Sequence, residues 1–182
     1  MKSTKLLMAD HEIILEALRI LEAINSEIAD GKTLNKEDIR SLLMFLRNFA
    51  DGSHHVKEEA IFFPALMQAG MTLQDGPLRV MAYEHERGRA LTTAMDEALS
   101  RDDRAEFLMY SRRYIDLQTA HIEKENYVLF DMADQKFTDE EDEKVAEAFE
   151  HFEKTIVGTP NYERLHKVIE DLAARYLAAA VH

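Results

Sequence analysis

The sequence predicts an all-α protein: an up-down-up-down four-helix bundle with two additional shorter C-terminal helices. Apolar residues recur at three- and four-residue spacing through nearly the whole chain, which is the period of an amphipathic helix. No convincing stretch shows the strict alternation that is typical of a strand. Only 6 Gly and 3 Pro occur, and they cluster where one element is expected to give way to the next.

The first two helices are bounded by recognisable end signals. The first is predicted from about Ser3 to Asp30, and it ends at Gly31, a residue type that commonly terminates helices. The second begins near Asn35, a favourable N-cap, and reaches Pro64 or slightly beyond. The short connection between them predicts that they are antiparallel neighbours.

The third and fourth helices follow a glycine-containing loop. The third is predicted from Pro77, a typical first-turn proline, to about Ser100. The fourth runs from about Asp102 to about Asp134. These four long helices with short connections are the basis of the predicted bundle.

Two shorter, highly charged helices are expected at the C-terminal end. Thr138 and Glu141 have the spacing of a capping box, and glycine and proline at 158–160 separate the fifth helix from the sixth. No linker interrupts the chain. We therefore interpret residues 1–134 as the bundle and residues 135–182 as a helical extension packed on it.

Composition excludes several function classes. With 35 acidic and 22 basic residues the formal net charge is −13, which disfavours binding to nucleic acid or to a membrane surface and favours cations. Cysteine is absent, which excludes thiolate catalysis, iron–sulfur clusters and zinc–thiolate sites. The N-terminal stretch carries acidic residues and is not typical of a signal peptide, so we expect a cytoplasmic protein.

Ligand-type side chains break the apolar stripes at one depth of the predicted bundle. Each of the four helices carries one histidine on its buried stripe, and two of the helices carry a glutamate one turn later. These residues are His11, His54, Glu58, His85, His121 and Glu125. The segment from His54 to Phe63 also aligns without gaps on the segment from His121 to Phe130. The chain therefore resembles two copies of a helical hairpin.

This spacing suits a pair of metal ions. Residues at i and i+4 share one face of a helix, so the histidine and glutamate of each second helix can bind one centre. Imidazole and carboxylate donors suit iron, manganese or zinc. Two sets of two histidines and one glutamate offer three ligands to each of two ions, and carboxylates can bridge them. Room is left for a small exogenous molecule.

Each of these residues also has a simpler interpretation. A single core histidine is usually a hydrogen-bonded structural residue, but four imidazoles and two carboxylates buried without a metal ion would cost several kcal/mol per unpaired charge. His55 and Glu59 are alternative ligands, although the repeat favours their neighbours because Ile122 is aligned with His55. Glu12 and Glu86 directly follow two of the histidines, and either one is a further candidate ligand.

At these residues the sequence resembles the hemerythrin-like family, also called the HHE cation-binding domain. The resemblance extends from about Lys5 to Asp134, and its most specific parts are the runs from His54 to Pro64, from Glu84 to Glu86 and from His121 to Phe130. It implies a four-helix bundle with two iron ions in a non-haem centre that is oxo- or hydroxo-bridged when oxidised. The ligands that it implies are His11, His54, Glu58, His85, His121 and Glu125, with the two glutamates as bridging carboxylates.

The chain departs from the oxygen-carrying members of that family at two positions. Those members use a fifth histidine where this chain has Arg89, and an aspartate where it has Asn126, with Glu125 offered instead. The set of four histidines and two glutamates is more similar to bacterial members linked to repair of iron centres and nitric oxide handling. If Arg89 leaves one iron a ligand short, water or a second open site should occupy that place.

The leading hypothesis is a diiron protein that binds dioxygen or a related small oxidant. The alternatives at the same site are turnover of peroxide or nitric oxide, and repair of iron centres or delivery of iron to a protein acceptor. Residues with a catalytic role are not assigned, and neither a nucleic-acid nor a membrane partner is expected.

Overall fold

The computed structural model describes residues 1–74 and 76–178, and this part of the chain is helical without strands. This confirms the predicted all-α class. The α-helices are α1 (Lys2–Ala29), α2 (Lys36–Phe45), α3 (Phe63–Gln68), α4 (Pro77–Ser100), α5 (Arg104–Lys124), α6 (Phe130–Lys136), α7 (Asp139–Phe152) and α8 (Thr159–Tyr176). Wider π-helical segments lie between some of them: π1 (Leu46–His55), π2 (Glu58–Phe62), π3 (Glu125–Leu129) and π4 (Glu153–Gly158).

The helix ends follow local side-chain chemistry. The Asn35 side chain accepts two backbone N–H groups of the first turn of α2, as its sequence position predicts. Thr138 and Glu141 form the predicted capping box at the start of α7. Asp103, one residue after the predicted start of the fourth helix, caps α5. Gly158 has φ +79°, which favours glycine, and it precedes α8.

Two of the predicted helices are not regular α-helices. The second continues through π1 and π2 into α3, and the fourth continues through π3 into α6. A π-helical turn contains an extra residue, and such turns occur often at functional sites. The apolar spacing of the sequence did not predict these wider turns.

Two apolar clusters fill the interior, with a polar layer between them. On α1, for example, His11 lies between Leu7 of one cluster and Ile14 of the other. The same order recurs on the other segments that carry ligand-type residues. The larger cluster includes Ile14, Phe49, Met95 and Tyr114, and the smaller one includes Leu7, Phe62, Met81 and Leu129. The polar layer is thus closed by apolar side chains on both sides.

The C-terminal helices pack on the rest of the molecule and also enter its core. α7 and α8 both contact α1, and α8 contacts α2. Val145 and Phe149 join the smaller cluster, whereas Leu165 and Ile169 join the larger one. Within the described residues, no helix combines the length and apolarity needed to cross a membrane.

Candidate metal centre

The six predicted ligands lie together in the polar layer. α1 supplies His11, α4 supplies His85, and the ends of π1 and α5 supply His54 and His121. Glu58 begins π2 and Glu125 begins π3. All six are buried, and the structure adds a seventh buried member, His55, to the same cluster.

The cluster divides into two groups that could each hold one ion. Within each group, the potential ligand atoms all lie within 4.8 Å of one another. The first group contains three imidazoles and the second contains two. Their members are His55, Glu58, His85 and His121 in the first group, and His11, His54, Glu58 and Glu125 in the second.

Both glutamates lie between the two groups. Glu58 Oε2 is 3.3 Å from His85 Nε2 and 3.7 Å from His54 Nε2. Glu125 Oε2 is 3.2 Å from His11 Nε2, and its Oε1 is 3.2 Å from His121 Nε2. Each carboxylate therefore reaches one histidine of each group, which is the placement that a bridging carboxylate requires.

The outer nitrogens of two histidines are held by acidic residues in equivalent positions of the repeat. His54 Nδ1 donates to Asp10 Oδ2 at 3.2 Å, and His121 Nδ1 donates to Glu84 Oε2 at 3.0 Å. Each acceptor is the residue just before the first-helix histidine of its own hairpin. Such partners fix the ring orientation and make the other nitrogen a better metal ligand.

The other two histidines are held across the repeat. His85 Nδ1 donates to Glu59 Oε1 at 2.7 Å, and His11 Nδ1 donates to Asn126 Oδ1 at 2.7 Å. Each acceptor directly follows the buried glutamate of the opposite hairpin. With the proton held at Nδ1 in all four rings, each Nε2 carries a lone pair that points into the cluster.

These inward nitrogens face one another closely. The Nε2 atoms of His11 and His54 are 3.0 Å apart, and those of His85 and His121 are 3.2 Å apart. Two lone pairs at such distances repel each other unless a proton or a metal ion lies between them. The geometry therefore calls for a cation within each pair.

The two buried glutamates also need a cation. None of the four carboxylate oxygens of Glu58 and Glu125 has a hydrogen-bond partner, although both side chains are fully buried. The Nε2 atoms of His11, His85 and His121 lie within ion-pair distance of these oxygens. A buried carboxylate without a partner costs several kcal/mol. The donor set thus fits metal ions in both groups.

Without a metal ion, the buried carboxylates favour the protonated form of two of these imidazoles. Burial lowers the pKa of His121, but Glu125 and Glu84 outweigh burial and raise this pKa to about 10. Burial likewise lowers the pKa of His11, and Glu125 more than reverses this. Burial raises the pKa of Glu125, but His121 and His11 hold it well below its usual value. Since a metal ion displaces these protons, metal loading releases them.

The pKa of His55 shifts in the opposite direction, so this residue could bind a metal ion as a neutral imidazole. Its ring stacks on that of His85, with centroids 3.9 Å apart. Burial, together with the neighbouring imidazoles, holds the pKa of His55 well below its usual value, so a nitrogen lone pair is free. His54 and His55 both face the interior because π1 has more residues per turn than an α-helix, and neighbouring side chains diverge less. The adjacent pair of histidines was the only sequence signal for this residue.

Arg89 does not enter the cluster but lies at its rim. Its guanidinium contacts Glu59 Oε1 at 2.6 Å and Asp51 Oδ1 at 3.0 Å. His55 brings an additional imidazole to the group that contains His85, where Arg89 provides no ligand.

The remaining sequence candidates lie outside the cluster. Glu12 and Glu86 are exposed and belong to neither group. Glu59 is partly exposed, and its carboxylate serves as the acceptor for His85 rather than as a member of either group.

Comparison with known proteins points to one family. The family model described as hemerythrin HHE cation binding domain matches residues 2–133, which contain all seven cluster residues and end within α6. Searches of the curated proteins and of the solved structures gave no significant match.

Proposed function

Because the chain belongs to the hemerythrin HHE cation-binding domain family, we propose that its histidine–glutamate cluster holds two iron ions that bind dioxygen or a related small oxidant. In this proposal the family's four-helix bundle consists of α1, the segment from α2 to α3, α4, and the segment from α5 to α6. The helices after residue 134 are an addition to it. A cytoplasmic location is part of the same proposal.

The observation that carries the proposal is the unequal division of imidazoles. Glu58 and Glu125 reach both groups, whereas three histidines belong to one group and two to the other. If both carboxylates bridged the two ions, an ion held by His11 and His54 would have one protein ligand fewer than its neighbour. A small molecule could then bind at that ion.

The residues around the cluster favour redox chemistry at the proposed ions. When bound, a reduced iron pair supplies two electrons to a small oxidant. The hydrogen bonds at Nδ1 hold the imidazole rings in place. The ring of Phe130 stacks on that of His11 with centroids 5.5 Å apart, and Phe63 stacks on His85 at 5.9 Å. These apolar walls keep bulk water away from the ions.

The alternative functions receive less support. Turnover of peroxide or nitric oxide would use the coordination space that a missing ligand at Arg89 leaves open. His55 supplies an imidazole to that group. Delivery of iron to an acceptor needs ligands that release the metal readily. Here every cluster residue is 3% exposed or less, between two apolar clusters. We therefore favour reversible binding over turnover or delivery.

The test is metal analysis and optical spectroscopy before and after anaerobic reduction, followed by exposure to dioxygen. We expect two iron ions per chain and a reversible change in visible absorption when oxygen is added. Removal of one ligand in the variant His121→Ala should abolish the change, whereas the exposed control Glu12→Gln should retain it. Iron-loaded protein that does not respond to oxygen would contradict oxygen binding, and its rates with peroxide and nitric oxide would then decide between the alternatives.

A further inference from the structure

Lys57 is a buried charge that the metal ligands do not account for. In the chain it lies between π1 and π2, and its side chain is 1% exposed. Its ammonium group contacts Asp10 Oδ2 at 2.6 Å and Glu153 Oε1 at 2.5 Å, and it lies 5.8 Å from the ring centre of Phe149. A buried lysine is stable only with such partners.

This lysine joins the C-terminal part of the chain to one ligand of the metal centre. Glu153 begins π4 and lies beyond residue 133, where the family match ends. From Glu153 the contacts pass to Lys57, then to Asp10, and from Asp10 to His54 Nδ1 at 3.2 Å. An uninterrupted series of contacts thus runs from Glu153 to His54, one of the proposed metal ligands.

The second hairpin has the same arrangement without its last member. Lys124 contacts Glu84, and Glu84 accepts from His121. Among the described residues Lys124 has no second carboxylate within ion-pair distance, and its side chain is 39% exposed. The repeat therefore shows what Glu153 adds: a second negative charge on a lysine that water does not reach.

We propose that Glu153 is a positioning residue for the ion held by His11 and His54, and that it acts through Lys57 and Asp10. By sharing the charge of Lys57, Glu153 leaves Asp10 a stronger acceptor for His54, which makes His54 Nε2 a better ligand. The C-terminal helices thereby determine how tightly this ion is held and how readily it is reduced. The inference rests on the proposed pair of metal ions.

The test compares two substitutions that remove one negative charge from the same part of the chain. Glu153→Gln keeps the shape and a hydrogen-bond acceptor but loses the charge. Glu143→Gln is the control, because Glu143 is 54% exposed and pairs with Lys2 at the surface. The iron-loaded proteins are mixed with excess chelator, the loss of each iron is followed over time, and the reduction potentials are measured.

In Glu153→Gln we expect one of the two ions to be lost about tenfold faster, at the lower end of the effect of outer partners of metal-binding histidines. Its potential should rise, because a nearby negative charge is gone. The control should match the unsubstituted protein in both measurements.

Equal iron loss and equal potentials in the two variants would show that Glu153 has only a structural role, and the proposed function would stand. If the unsubstituted protein binds fewer than two ions when iron is in excess, the proposed function and this inference both fail.

Discussion

At the scale of single residues, the adjacent pair His54 and His55 has the largest consequence. One π-helical turn directs both rings inward, so that His54 belongs to the group with His11 and His55 to the group with His85. Arg89 lies at the rim of the cluster and contacts Glu59, the acceptor that orients His85.

His55→Ala should weaken the binding of one ion only. The first group would lose one of its three imidazoles, whereas the second group would keep all its ligands. We expect the affinity for one ion to fall at least about tenfold, since loss of even an outer partner has an effect of that order. The check is an iron titration followed by calorimetry, with the exposed His151→Ala as the control. A loss of both ions together, or of neither, would contradict the assignment of His55.

At the scale of the elements, contacts between α1 and α7 attach the C-terminal helices to the beginning of the chain. Asp142 on α7 accepts from the backbone N–H groups of Lys2 and Ser3 and from the Ser3 hydroxyl. A carboxylate at a helix N-terminus also interacts favourably with the helix dipole. Burial raises the pKa of Asp142, but these hydrogen bonds more than reverse the effect and lower it below its usual value.

Asp142 should make the stability of the protein depend on acid pH. Because its pKa is lower in the folded chain, its contribution is complete above the pKa of the unfolded state, near 3.9. The contribution is lost as the pH falls through the folded value. At neutral pH we expect Asp142→Asn to reduce the free energy of unfolding by about 2 kcal/mol, the size typical of hydrogen bonds to a charged group.

The measurement is urea unfolding of the metal-free proteins between pH 7 and pH 3. The difference between Asp142→Asn and the unsubstituted protein should shrink as the pH falls. Glu143→Gln, one residue along the same helix, should change little at any pH because its ion pair with Lys2 is exposed. A difference that stays constant with pH would contradict the role of the Asp142 charge.

At the scale of the whole molecule, the polar layer divides the interior into two apolar clusters and is costly without metal ions. Four carboxylate oxygens have no hydrogen-bond donor, and imidazole nitrogens face one another at about 3 Å. Metal binding removes both penalties at once. The centre is therefore expected to contribute to the stability of the fold as well as to function.

Removal of metal with a chelator should lower the melting temperature by roughly 10 °C. A ligand present at a thousand times its dissociation constant stabilises the folded state by about 4 kcal/mol, and in a protein of this size each kcal/mol corresponds to about 3 °C. In the double variant Glu58→Gln and Glu125→Gln the chelator should have almost no effect. An unsubstituted protein that melts at the same temperature with and without metal would contradict this prediction.

The sequence alone was sufficient for the helical class, for the caps at Asn35 and Thr138, and for the gathering of six ligand-type residues at one level. These features depend on local chemistry and on helical periodicity, which nearby residues determine. The alignment of His54 with His121 in the internal repeat was also evident from the sequence.

Only the tertiary structure decided that His55 joins the cluster, that Arg89 lies outside it, and that Glu153 reaches a ligand through Lys57. The first depends on a π-helical turn, which the apolar spacing of the sequence did not predict. The others depend on contacts between residues far apart in the chain, and their partners are set by how whole helices pack. Long-range ion pairs of this kind leave no periodic trace in the sequence, because any exposed or buried charge can find several partners until the packing selects one.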